Sequence, residues 1–186
     1  MEVTKMTTAN KITVIRILLV PVLVILLYLD FPGHLYWALG VFILASISDT
    51  ADGYIARHYD QVTDFGKFLD PLADKVLVIA AMCVFAERGY MPGWALLIVV
   101  TRELAVTGLR LVAVDNGRVI AAAWSGKIKT TVTMLGIIAM LAFGIPKDIQ
   151  WLNTLVWVLI VVTTVWSGAE YFLKNRDVLT AGGQEK

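Results

Sequence analysis

Six apolar stretches, each of about 20 residues, follow one another along the chain and leave only short polar connections between them. This is the length that an α-helix needs to cross the hydrocarbon core of a bilayer. A segment inside lipid must satisfy its own backbone hydrogen bonds, which favours helices. We therefore predict an all-α integral membrane protein, a bundle of six transmembrane helices. The predicted spans are 12–30, 35–57, 67–88, 92–114, 119–143 and 151–173.

The segments outside these spans are too short to form a second domain. The hydrophobic fraction of the chain is 58%, which exceeds the apolar share of an ordinary soluble domain. We predict a single membrane domain over 1–179, with a juxtamembrane segment at about 1–11 and a polar tail at 180–186.

Basic residues are distributed unevenly between the two ends of the predicted spans. Cytoplasmic segments of membrane proteins carry an excess of Lys and Arg. With the N-terminus inside, only Arg88 and Lys147 fall in the opposite loops. The sequence thus predicts a multi-pass protein with both termini in the cytoplasm. The residues on or near the cytoplasmic side are Lys5, Lys11, Arg16, Arg57, Lys67, Arg118, Lys174, Arg176 and Lys186.

Four aspartates lie near the cytoplasmic ends of the second and third spans, where charged groups are energetically costly. Asp49 and Asp52 are three residues apart, and Asp70 and Asp74 are four apart. Such spacings place each pair on one helical face. Because the two helices are antiparallel neighbours joined at 58–65, both pairs can face one shared site.

Four carboxylates packed together would repel one another and would be partly protonated. Divalent cations relieve that repulsion, and oxygen ligands favour Mg²⁺ or Mn²⁺ over zinc. Four acidic side chains can hold two metal ions about 3.5–4 Å apart. The alternative is a set of ion pairs with Arg57, Lys67 and Lys75, which leaves the regular aspartate spacing unexplained.

Small residues accompany the aspartates. Gly53, Ala56 and Gly66 remove side-chain bulk beside the carboxylates, so a ligand or another backbone can approach closely. Small residues in membrane helices also serve helix packing. Their position among four acids favours a nucleotide pocket over packing alone.

Eight residues between 49 and 74 match every fixed position of the pattern D-x2-D-G-x2-A-R-x8-G-x3-D-x3-D. This pattern is the signature of the CDP-alcohol phosphotransferases, and the chain therefore resembles that family. The matching residues are Asp49, Asp52, Gly53, Ala56, Arg57, Gly66, Asp70 and Asp74.

The resemblance implies an enzyme that joins the phosphate of a CDP-linked lipid to an alcohol and releases CMP. It also implies six transmembrane helices, a homodimer and two divalent cations held by the aspartates. Asp74 is then the base and a further metal ligand, beside the principal ligands Asp49, Asp52 and Asp70. The implied CDP-binding residues are Asp52, Gly53, Ala56, Arg57 and Gly66.

A second basic group suggests an anionic acceptor. Arg110, Lys127, Lys129 and Arg16 lie at a similar depth, and cations beyond those needed for ion pairing favour a phosphate ligand. Since Lys127 and Lys129 are two residues apart on a helix, they should face different directions. Arg110 and Lys127 are the leading predicted phosphate contacts.

Three segments resemble bacterial phosphatidylglycerophosphate synthases. They are 10–16, 102–110 and 126–130, which begin Asn-Lys-Ile, Arg-Glu-Leu and Gly-Lys-Ile. This resemblance implies CDP-diacylglycerol as donor, sn-glycerol 3-phosphate as acceptor and a bacterial inner-membrane location. Arg102 is predicted to join Glu103 in a structural polar network.

Two alternatives remain open at the level of sequence. Another enzyme of the same family would use inositol phosphate, serine, choline or a second phosphatidylglycerol as acceptor, although choline favours aromatic contacts over added Arg and Lys. A divalent-cation transporter would need a polar route continuing to the outer face, where the spans are mostly apolar. We expect no nucleic-acid partner.

Overall fold

The computed structural model describes the backbone of residues 8–58, 64–118, 120–121, 123–143 and 150–181. Side chains are described for 12–48, 72–118, 120–121, 123–143 and 150–178. The described regular structure is entirely α-helical, which confirms the all-α part of the predicted fold class. The helices are α1 Thr8–Tyr28, α2 His34–His58, α3 Asp64–Glu87, α4 Gly93–Asp115, α5 Trp124–Ala142, α6 Gln150–Lys174 and α7 Arg176–Ala181.

Each predicted span corresponds to one of the long helices α1–α6. The bounds agree closely except at α5, which begins at Trp124 rather than at 119. The chain leaves α4 through Gly117, whose φ of +68° suits a residue without a side chain. The short helix α7 lies beyond the last predicted span and was not anticipated.

Apolar length differs among the six long helices. Within the part of the chain that the structure describes, α6 is the one helix whose length and apolar composition are both sufficient to cross a membrane. The apolar segments of α1 and α2, 12–28 and 34–48, are shorter. Charged residues interrupt the others, among them Lys75 in α3 and Arg102 in α4.

The surface of the bundle is unusually apolar. Trp37, Leu104, Leu111, Trp151 and Leu173 are between 66% and 71% exposed, and they belong to three different helices. Large contiguous apolar surfaces are rare on soluble monomers and mark contact with protein or membrane. The outer face of this bundle therefore suits an apolar environment.

The main apolar core joins α1, α2, α3, α5 and α6, with contributions from the start of α4. Leu23, Phe42, Leu77 and Ile137 are completely buried in it. The helices α5 and α6 approach closely at Gly136, where an added Cβ would lie 2.9 Å from Cγ1 of Val156. Close-packed helix contacts of this kind are typical where a small residue faces a neighbouring helix.

A smaller core lies at the other end of α4. Val106, Leu109 and Ala113 pack with Tyr171 of α6 and Val178 of α7. This contact explains why α7 folds back onto the bundle, because Val178 loses its exposure to solvent there.

The signature occupies the last turns of α2 and the first turns of α3, and these two helices contact each other. Because α3 begins at Asp64, Pro71 lies inside this helix and does not start it. The side chains of 49–71 lie outside the described residues, as does most of the predicted connection 58–65.

Candidate active site

The carboxylate of Glu103, at the middle of α4, contacts basic side chains from three helices. Oε1 of Glu103 lies 2.7 Å from Nζ of Lys129 in α5 and 2.9 Å from Nη1 of Arg102. Its Oε2 lies 3.9 Å from Nζ of Lys75 in α3. Buried charges need such partners, because an unpaired ion in a dry interior is very unfavourable.

Hydroxyl groups extend this cluster. Lys75 Nζ donates to Oγ1 of Thr107 at 2.5 Å, and that hydroxyl donates to the backbone oxygen of Glu103 at 2.7 Å. Arg102 Nη2 donates to Oγ of Ser167 in α6 at 2.5 Å. The polar cluster therefore connects α3, α4, α5 and α6 at one level of the bundle.

Helix periodicity explains how α4 supplies several of these groups. Glu103, Thr107 and Arg110 are spaced by four and three residues, so they share one face of the helix. The same face meets α3 through Lys75 and approaches α6 at Tyr171. A single polar stripe thus borders both neighbours.

A cavity of about 410 Å³ opens along this stripe. Four cationic side chains and one carboxylate line it, together with Thr107, Thr130 and Tyr171. Such an excess of positive charge fits an anionic ligand, and phosphate is the anion that Arg and Lys bind most readily in proteins. The charged lining residues are Lys75, Arg102, Glu103, Arg110 and Lys127.

A second cavity of about 170 Å³ adjoins the first. Asp74, Lys75, Glu103 and Lys129 line it, and Lys75 and Glu103 are common to both cavities. A carboxylate of the signature therefore lies next to the space that the basic residues surround.

The structure brings Arg110 and Lys127, the two leading predicted phosphate contacts, to the larger cavity. Arg110 Nε donates to the Tyr171 hydroxyl at 2.9 Å, and its guanidinium lies 5.5 Å from the centre of that ring. Lys127 Nζ lies 5.5 Å from the centre of the Trp124 ring. Aromatic faces attract cations without neutralising them, so both groups keep their charge for a ligand.

The other two predicted contacts lie elsewhere. Lys129 lines the smaller cavity and is paired with Glu103, so Lys127 and Lys129 face different directions, as their spacing predicts. Arg16 of α1 is completely buried and lines neither cavity. An acceptor role for Arg16 stays a prediction.

Sequence reasoning missed the cavity positions of Lys75, Thr107 and Tyr171. Lys75 was considered only as an ion-pair partner, although its place directly after Asp74 was a usable signal. The predicted polar contact between Arg102 and Glu103 is present. Both residues also line the larger cavity. The Arg102–Glu103 contact therefore belongs to the candidate site as well as to the packing between helices.

The complete acidic site cannot be built from the described side chains. Among them, no group of three or more Asp, Glu, His or Cys residues comes together. Asp49, Asp52 and Asp70 lie outside that set, as do Gly53, Ala56, Arg57 and Gly66. The predicted metal and CDP contacts of these residues stay predictions.

The sequence profile of the CDP-alcohol phosphatidyltransferases matches residues 6–166, which is most of the chain. The chain belongs to this family. The matched range contains the whole signature and both cavities' charged residues. Membership of a phosphatidyltransferase family argues against the alternative of a cation transporter.

Bacterial members of the CDP-alcohol phosphatidyltransferase family match nearly end to end. A CDP-diacylglycerol–glycerol-3-phosphate 3-phosphatidyltransferase of Bacillus subtilis is 41% identical over 186 residues, covering 91% of this chain and 95% of the relative. A probable phosphatidylglycerophosphate synthase of Mycobacterium tuberculosis is 35% identical, covering 91% and 82%. A CDP-diacylglycerol–glycerol-3-phosphate 3-phosphatidyltransferase of Salmonella choleraesuis is 34% identical, covering 90% and 94%.

Proposed function

We propose that this protein transfers the phosphatidyl group of CDP-diacylglycerol to sn-glycerol 3-phosphate, giving phosphatidylglycerophosphate and CMP. The observation that carries the proposal is the convergence of four cations on one 410 Å³ cavity beside the cavity of Asp74. The names of the bacterial relatives support the same donor and acceptor.

The basic cavity would hold the phosphate of the acceptor. Glycerol 3-phosphate carries a phosphate at one end and a free hydroxyl at the other, so it needs an anion site and a base a few ångströms apart. Arg110 and Lys127 supply charge at the larger cavity, and Asp74 lines the adjoining one. Serine, which has no phosphate, would leave these cations without a ligand.

Asp74 would act as the general base. Its carboxylate takes the proton of the acceptor hydroxyl, since an alcohol is a poor nucleophile at neutral pH. The hydroxyl oxygen then forms a bond to the lipid-side phosphorus. The bond between that phosphorus and the bridging oxygen breaks, and CMP leaves with the oxygen and the electron pair.

The acidic residues suit a pair of hard divalent cations, Mg²⁺ or Mn²⁺. The fixed signature positions hold four carboxylates and neither Cys nor His, and they lie on two helices that contact each other. Asp49, Asp52, Asp70 and Asp74 would hold the ions. Bound there, the cations would neutralise the pyrophosphate and the negative charge that develops on CMP.

The nucleotide would lie against the signature as well. The proposed CDP contacts are fixed positions of the family signature. They are Asp52, Gly53, Ala56, Arg57 and Gly66. Arg57 is suited to a phosphate because its guanidinium can donate two parallel hydrogen bonds.

We further propose six membrane spans, both termini in the cytoplasm of a bacterium, and a homodimer in the inner membrane. The apolar surface of the bundle and the placement of basic residues support this topology. A site near the cytoplasmic surface would receive the lipid from the leaflet and the acceptor from water.

The direct test is CMP release by the purified protein in detergent micelles that contain CDP-diacylglycerol. We expect CMP only when a divalent cation and glycerol 3-phosphate are both present. Release with serine, inositol phosphate or phosphatidylglycerol in place of glycerol 3-phosphate would overturn the acceptor and leave the family reaction intact. Absence of release with every acceptor would overturn the reaction itself.

A further inference from the structure

We propose that Glu103 is a positioning residue. Its carboxylate pairs with some cations of the site and leaves others available, so that the acceptor phosphate binds Arg110 and Lys127 and not Lys129. This inference rests on the proposed function and adds a specific role for a carboxylate outside the signature. Glu103 lines both cavities, and it is the member of the cluster that contacts basic residues of three helices.

The ion pairs divide the cations into two groups. Lys129, Arg102 and Lys75 lie within 4 Å of the Glu103 carboxylate, at 2.7, 2.9 and 3.9 Å. Arg110 and Lys127 contact aromatic rings instead. Arg110 uses Nε toward Tyr171, which is one of the five N–H donors of a guanidinium. The second group is therefore available to an anion, and the first is occupied.

Burial strengthens the ion pair between Glu103 and Lys129, which separates the two groups of cations. The side chains of Glu103 and Lys129 are 14% and 6% exposed, so water screens their attraction poorly. Removing the carboxylate would leave the ammonium of Lys129 buried without its counter-charge. A phosphate dianion entering the site would then be attracted to it strongly.

The position of Lys129 gives that attraction a mechanistic consequence. Lys129 lines the same small cavity as Asp74, whereas Arg110 and Lys127 line the larger one. A phosphate drawn to Lys129 would occupy the space beside the proposed base, where the acceptor hydroxyl must lie. The acceptor would bind with its ends exchanged or displaced, and a displacement of about 1 Å can lower the rate about 100-fold.

Glu103 also connects four helices through its partners, so loss of activity in a variant does not by itself identify the role. A purely structural role lowers the amount of active enzyme and leaves its affinities unchanged. A positioning role changes how the enzyme responds to a free anion. Inorganic phosphate is therefore the informative probe.

The experiment compares wild-type protein with Glu103→Gln, which keeps the shape of the side chain and removes its charge. Initial rates of CMP release are measured against glycerol 3-phosphate, CDP-diacylglycerol and added inorganic phosphate. We expect kcat to fall about 100-fold, and inhibition by phosphate to become about tenfold tighter, as one added charge-assisted contact would give. The KM for CDP-diacylglycerol should stay within about twofold, far less than the roughly tenfold change expected for phosphate inhibition.

Glu170→Gln is the matched control. Glu170 forms an ion pair with Lys174 four residues later in α6, and neither residue lines the two cavities. Kinetics and phosphate inhibition should match wild type. The double variant Glu103→Gln, Lys129→Gln also removes Lys129, the most buried of the three cations that lose their counter-charge. Phosphate inhibition should then return toward the wild-type level.

Size-exclusion profiles establish which variants fold. If Glu103→Gln does not give a monodisperse protein, Glu103→Asp takes its place, because it keeps the charge but withdraws it by one methylene. We expect tighter phosphate inhibition there too, by a smaller factor. Unchanged phosphate inhibition in the folded variant, whatever its kcat, overturns the positioning role. Absence of glycerol 3-phosphate-dependent CMP release by wild type would instead overturn the proposed function.

Discussion

Two cavities at opposite ends of the bundle show that charge, and not volume, marks the candidate site. One of about 810 Å³ lies where α3 meets α4 and α6 begins, and Arg88 is its one charged residue among the described lining. The other, about half as large at 410 Å³, carries four cations and a carboxylate. The larger space is bordered mainly by aromatic and neutral polar groups, including Trp94, Trp157 and Asn153.

Arg88 itself illustrates the difference. Its guanidinium donates to the backbone oxygen of Tyr28 at 3.2 Å and lies 5.8 Å from the centre of that ring. It thus fastens the end of α1 to the end of α3. At the other end, Arg110 and Lys127 contact aromatic side chains and face a cavity that two further cations border. An isolated cation stabilises a helix end, whereas a group of cations provides an anion site.

The strongest test of this contrast is Asp74→Asn, which removes the proposed base and keeps the size of the side chain. We expect kcat to fall roughly 1,000-fold, within the range that general-base catalysis supplies. CMP release is measured with saturating substrates. Asp177→Asn, at an exposed ion pair with Arg118, is the matched control and should retain activity. A loss below about tenfold in Asp74→Asn would remove Asp74 as the base, since even modest base catalysis contributes more.

The next test compares the cations of the 410 Å³ cavity with Arg88 at the opposite end of the bundle. Replacing Arg110 or Lys127 by Ala should raise the KM for glycerol 3-phosphate about 10- to 100-fold, as loss of a charged hydrogen bond implies. The KM for CDP-diacylglycerol should change little. Arg88→Gln, which alters the charged residue of the 810 Å³ cavity at the opposite end, should leave both constants near wild type. Equal increases for both substrates in the Arg110 and Lys127 variants would contradict the assignment of an acceptor-phosphate site.

The smallest expected effect concerns the apolar packing that holds the two ends together. Gly136→Ala would place a methyl group 2.9 Å from Val156 Cγ1 and 3.2 Å from Ile160 Cδ1. Overpacking of this kind costs about 1–3 kcal/mol, so the thermal midpoint in detergent should fall. Gly108→Ala is the control, because its added Cβ would meet nothing within 4 Å and Ala is the better helix former. A midpoint for Gly136→Ala equal to that of the control would show that α5 and α6 separate at little cost.

Much of the fold was predictable because it depends on local patterns. Apolar length located the six long helices, and helix periodicity separated Lys127 from Lys129. The start of α5 was predicted five residues too early, because the apolar residues at 120–123 continue the sequence pattern although the helix begins at Trp124. The helix α7 was not predicted, because its six residues are too few to show a recognisable helical periodicity.

The candidate site was predictable only in part. The signature identified Asp74, and the excess of basic residues identified Arg110 and Lys127. No local pattern gave the partner of Lys129, since Glu103 lies on another helix and 26 residues away. Lys75 was assigned to ion pairing alone, although its ammonium borders both cavities.

The sequence by itself determined the helical bundle, the family and the spacing of the four signature aspartates, because these follow from the order of residues along single helices. Only the tertiary structure decided which cations Glu103 neutralises and which line the cavity for an anion. That division depends on distances of 2.7–3.9 Å between the Glu103 carboxylate and side chains of α3, α4 and α5, and on the burial that keeps water from screening them. Such distances are fixed when α3, α4, α5 and α6 pack, and no single segment contains them.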